Sequence, residues 1–75
     1  MGAKGIEGLR RIVWLLRERY PEQNNLFQLK QIRLAIMEEV GVDERTIKNQ
    51  LAKLQEMGML KRINRWWFKD QGIEY

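Results

Sequence analysis

The chain has 75 residues, with 14 Lys and Arg against 10 Asp and Glu, and it contains neither Cys nor His. That length gives one domain with a simple core and little room for an enclosed ligand pocket. The missing thiols and imidazoles exclude disulfide frameworks, the usual zinc sites and Cys- or His-based catalytic arrangements. We therefore expect no catalytic residues, no metal, no cofactor and no small-molecule substrate. No stretch approaches the roughly 18 apolar residues of a membrane span. No apolar leader follows the small residues Met1–Gly5. The expectation is a cytoplasmic protein that does not enter membranes.

The net charge of +4 is unevenly spread. Residues 1–20 carry five basic and two acidic groups, residues 21–44 two and five, and residues 45–70 seven and two. Positive charge thus collects at both ends and most of all in the last third. A cluster of that kind is the footprint of a polyanionic partner, most often nucleic acid.

The first element is a helix over about residues 5–20. Ile6, Leu9, Ile12, Val13, Leu16 and Tyr20 fall within one third of its circumference, and arginines fill the rest. Pro21 stops it, because the residue before a proline is pushed out of the α region. Trp14 and Leu15 point away from this apolar stripe. Two explanations stand: another element covers them, such as the tail Gly72–Tyr75, or they form a contact between two copies of the chain. Glu22–Asn25 is a polar turn, and Leu26-Phe27-Gln28 has the look of a short strand. A second helix follows over 29–40, with Leu29, Ile32, Ala35, Ile36 and Val40 as its stripe. Gly41 is expected to end it in the left-handed conformation common after helices.

Asp43 is placed to cap a third helix over 43–57 by accepting from the amide of Arg45 or Thr46. Ile47, Gln50, Leu51, Leu54 and Met57 share one face of that helix, and Gly58 ends it. The period then becomes strand-like. Met59–Ile63 and Trp66–Lys69 read as a hairpin over 59–69, joined either by a tight Asn64-Arg65 turn or by a looser loop of three or four residues. Trp66, Trp67 and Phe68 could stack on bases, as aromatics of single-stranded binders do, but at least two of the three are expected to complete the core, since aromatics bury the most area per residue.

From Leu26 to Lys69 the chain resembles the winged helix-turn-helix family. The resemblance is carried by a glycine and capped turn (Gly41-Val42-Asp43), the pair Thr46-Ile47, leucines at 51 and 54, and Gly58-Met59-Leu60 leading into Lys61-Arg62. It implies an α+β, mainly α fold: three helices, the third being the recognition helix, with a short C-terminal β-hairpin wing. It also implies a duplex DNA-binding transcriptional regulator.

A recognition helix buries one face and offers the other to the major groove. Opposite the apolar face of the third helix lie Arg45, Lys48, Asn49, Ala52 and Lys53, with Thr46 in the first turn. Arg can fork onto guanine and Asn can pair with adenine, while Ala52 is small enough for close approach. The wing offers Lys61, Arg62, Asn64, Arg65 and Lys69 to flanking backbone or minor groove. The partners expected are double-stranded DNA and, through Trp14 and Leu15, a second copy in a homodimer. The alternative function is a protein-interaction module of a larger assembly. Such modules carry a mixed or acidic third helix and a neutral wing, which the charge of residues 45–70 disfavours.

Overall fold

In the computed structural model the backbone is described for residues 2–72 and the side chains for residues 6–72. Helix α1 spans Gly2–Arg19. It ends ahead of Pro21, and a 3-10 turn, Pro21–Gln23, follows. Asn24 and Asn25 then both take left-handed backbone angles (φ 54 and 65). Asn tolerates that region better than other non-glycine residues, so two of them in a row can reverse the chain without a glycine.

The turn delivers strand β1, Leu26–Gln28, straight into helix α2, Leu29–Glu39. Three glutamines stitch this junction. The Gln31 side chain accepts from the Gln28 amide at 2.9 Å, exchanges hydrogen bonds with Gln23 at 2.9 and 3.0 Å, and Gln23 donates to the Leu26 carbonyl at 2.7 Å. Helix α2 ends one residue earlier than the sequence suggests. Val40 leaves helical geometry at the C-cap (φ −120, ψ −54) and is 44% exposed rather than part of the apolar stripe. Gly41 is not left-handed either, since the positive-φ glycines among the described residues are Gly58 and Gly72. The connection turns through Val40 instead.

Helix α3, Glu44–Glu56, begins at Asp43, whose carboxylate accepts from the Thr46 amide at 3.3 Å. Its far end closes with two bonds, Gly58 N–H to the Gln55 carbonyl at 3.1 Å and Met59 N–H to the Leu54 carbonyl at 3.0 Å. Gly58 sits at φ 77, so this is a Schellman stop with glycine at the left-handed position. Met59 and Leu54, which such a stop brings together, are both buried.

Strands β2 (Leu60–Arg62) and β3 (Trp67–Asp70) form the hairpin. The connection is the looser one, four residues long, and the Asn64-Arg65 pair lies inside it. β1 adds to the other side of β3, giving a three-stranded antiparallel sheet in the order β1-β3-β2. The sequence suggested the β1 strand but not its place in a sheet. The register opposes Phe27 to Phe68, Leu60 to Asp70 and Lys61 to Lys69. Alternation therefore turns Phe27, Leu60, Phe68 and Asp70 inward, and turns Lys61, Trp67 and Lys69 outward.

The core lies where α1, α2, α3 and the inner sheet face meet. Ile12, Leu16, Phe27, Ile32, Ile36, Leu54 and Phe68 are completely buried there. Leu15 packs against this cluster and is half-buried, although its helical position points it away from the apolar stripe. The buried arc of α1 is wider than one third of the helix and takes in Leu15 at its edge. Trp14, nearly opposite the middle of that arc, is 57% exposed. Ile73–Tyr75 of the tail expected to cover it lie outside the described residues.

Candidate nucleic-acid interface

Ile47 and Leu54 are fully or almost fully buried and fix the rotation of α3 about its own axis. With those positions inside, helical geometry sends Arg45, Lys48, Asn49, Ala52 and Lys53 to solvent, and all five are exposed. Thr46 is half-buried and its amide is tied to Asp43. It belongs to the start of the helix more than to the open face.

The acid at the head of α3 is turned aside. Both Glu44 oxygens accept from Arg33 Nη2 of α2 at 2.7 Å. That hydrogen bond, helped by the charges of Arg33 and Lys48, holds the Glu44 carboxyl below its ordinary range. Two other acids are likewise matched by arginines of α1. Asp70 is buried against Arg17, with one of the two contacts at 3.0 Å, and Glu38 of α2 pairs with Arg19. None of the seven cations from Arg45 to Lys69 takes part in a salt bridge among the described residues. Glu56 is the only acid in that stretch.

The hairpin residues separate into builders and presenters. Asn64 is a builder. Its Oδ1 accepts from the amides of Trp66 at 2.9 Å and Trp67 at 3.0 Å, which folds the four-residue loop. Arg62 is partly committed as well. Its guanidinium donates to the carbonyls of Asn64 at 3.3 Å and Arg65 at 3.4 Å, and its Cζ lies 5.5 Å from the centroid of the Phe68 ring.

Lys61, Arg65 and Lys69 are the presenters, all exposed. Lys61 and Lys69 stand directly opposite one another on the outer sheet face. Like charges so placed destabilise a sheet unless an anion lies between them or nearby. The expectation that at least two of the three hairpin aromatics fill the core is corrected. Phe68 alone does so, Trp67 is half-buried, and Trp66 is 61% exposed. A strand alternates its faces, so Trp67 and Phe68 cannot both turn inward, and Trp66 already belongs to the loop.

One residue of consequence was not singled out in the sequence. Asp70 is an acid within a basic hairpin, and only the sheet register shows that it points at α1. Trp66 was named among the hairpin aromatics, and the four-residue loop is what leaves it in solvent.

Among the described residues no group of three or more acidic side chains is placed to hold a metal ion, and no described helix is long and apolar enough to cross a membrane. Comparison with family models, with curated proteins and with solved structures finds no match.

Proposed function

We propose that this chain is a winged helix-turn-helix protein that binds duplex DNA and serves as a transcriptional regulator. Helix α3 enters the major groove, and the β2–β3 hairpin is the wing on the flanking backbone or minor groove. The observation that carries this reading is the electrostatic asymmetry of the folded chain. The acids that flank the basic segment, Glu44 and Asp70, are held by arginines of α2 and α1, while Arg45, Lys48, Lys53, Lys61, Arg65 and Lys69 face solvent without a salt bridge among the described residues. A face of that kind is stabilised by phosphates, and Asn49 and Arg45 on it have the hydrogen-bonding groups that read adenine and guanine.

A protein-interaction module is the second reading. It is favoured by the exposure of Leu34, Val40 and Val42 on α2 and the turn after it, Val42 at 77%. Leu34 and Val40 belong to α2 and its C-cap, while Val42 stands three residues ahead of Arg45.

Salt dependence separates them. Duplex affinity measured across a salt series should fall linearly on a log–log plot, with a slope of about −0.9 for each phosphate neutralised. Four or five of the exposed cations in contact give a slope of about −4. A flat dependence, or no measurable duplex binding at low salt, overturns the reading.

A further inference from the structure

The tip of the hairpin carries an exposed apolar pair in its most basic surroundings. Trp66 is 61% exposed and Ile63 is 52% exposed, next in sequence to Arg65 and Arg62 respectively. An aromatic side chain ordinarily contributes its large area to a core or to an interface. Here the backbone that carries the indole is pinned on both sides. The Trp66 amide donates to Asn64 Oδ1 at 2.9 Å, and the Trp66 carbonyl accepts from the Leu29 amide, at the start of α2, at 2.7 Å. The Ile63 amide donates to the Trp67 carbonyl at 2.9 Å, and Arg62 holds the carbonyls of Asn64 and Arg65. The loop therefore presents Trp66 from a fixed base, and little ordering cost remains when a partner arrives.

From this geometry we infer that the wing tip binds an exposed base face. The protein then prefers duplex DNA that carries an unpaired base over fully paired duplex, and Trp66 stacks on that base. This rests on the duplex-binding reading above and names the DNA structure that the wing selects.

Two considerations choose this occupant. The first is charge. The Arg65 guanidinium lies 5.9 Å from the Trp66 ring centroid, and Lys61 and Lys69 stand on the same hairpin. A partner must offer a flat apolar face beside negative charge, and a nucleotide supplies both in one unit. The second is the state of the base. In intact duplex every base face is covered by its neighbour, and an inserted side chain must first unstack a step. A base that is already unpaired carries the smallest such penalty, so the stacking contribution of a single indole is retained as affinity.

The test uses the full chain and two labelled duplexes of the same sequence, one fully paired and one with a single unpaired base at its centre, compared by fluorescence anisotropy. Wild type should bind the second more tightly by about 5- to 150-fold, the range that one base–aromatic stack corresponds to. In W66A that preference should vanish, and W66F should keep most of it. With 2-aminopurine as the unpaired base, its fluorescence should be quenched by wild type and not by W66A. This direct readout of stacking also serves if a variant folds poorly. Equal affinity of wild type for both duplexes overturns the inference and leaves duplex binding intact. A preference that survives W66A overturns the role of Trp66. Failure to bind either duplex overturns this inference together with the duplex-binding reading.

Discussion

Arg45 and Asn49 stand one turn apart on the exposed face of α3, at i and i+4, so both side chains can reach the floor of one groove. Alanine at either should weaken the best duplex site by about 1–3 kcal/mol and relax the preference at one base position. Alanine at Lys53, further along the same face, should weaken all sequences alike and make the salt slope shallower by about 1. Selection from random duplexes with each variant checks both outcomes, and a sequence logo unchanged by Arg45→Ala refutes the base-reading role. These positions were legible from the sequence because α3 has one strong period. Once Ile47 and Leu54 are inside, the opposite face follows from 3.6 residues per turn. The wing residues were not legible in the same way. A strand flips every side chain when its register moves by one, so the inward turn of Asp70 and the outward turn of Trp67 wait on the length of the loop between β2 and β3. The capacity of Asn64 to build that loop was visible only as a tolerance for turns, and its two accepted hydrogen bonds show it shaping the hairpin tip.

Element boundaries set different demands on two glycines that look alike in sequence. Gly58 closes α3 at φ 77, where an L side chain costs about 1–2 kcal/mol. Gly41 follows α2 without a positive φ, and a methyl added there meets nothing within 4 Å. Gly58→Ala should therefore lower stability by about 1–2 kcal/mol, whereas Gly41→Ala should leave it unchanged or raise it slightly by restricting the unfolded chain. Chemical denaturation of the two variants checks the pair. The ion pairs between helices add a pH dependence. Hydrogen bonds from Arg33 and Arg19 hold the Glu44 and Glu38 carboxyls below their ordinary range in the folded chain. A lowered folded pKa contributes stability above the unfolded value of about 4.3, and that contribution is lost as pH falls through the still lower folded value. Both pairs are exposed, so the effect is small and weakens in salt. The melting temperature should be flat near neutral pH and decline in acid below about pH 4. In Glu44→Gln the acid decline should be shallower and the neutral value slightly lower. An identical acid profile in that variant means that the Arg33–Glu44 pair does not link α2 to α3 in solution.

At the scale of the whole molecule, the duplex-binding proposal gives a single α3 only a few base pairs to read, and helix-turn-helix proteins gain affinity by placing two recognition helices about one DNA turn apart. The α1 surface provides a means of pairing. Trp14 lies opposite the buried arc of its helix, with Arg10 and Glu18 one turn to either side of it on the outward face, all three exposed. A twofold axis through Trp14 with the two α1 helices antiparallel stacks the indoles on each other. The same operation brings Arg10 beside Glu18 of the partner subunit, and the symmetry repeats that pair on the other side of the axis. The patch is narrower than the sequence suggested, because Leu15 leans into the core and the apolar centre is Trp14 alone. The expected state is therefore a homodimer of modest strength that tightens on DNA with two half-sites. Sedimentation of wild type should show dimer at micromolar concentration, and Trp14→Glu should shift it to a monomer that stays folded, since the replaced side chain is mostly in solvent. The variant should also bind a single half-site like wild type and lose the added affinity for the paired site. A monomeric wild type under those conditions refutes the dimer, and a dimer that persists in Trp14→Glu places the interface on another surface.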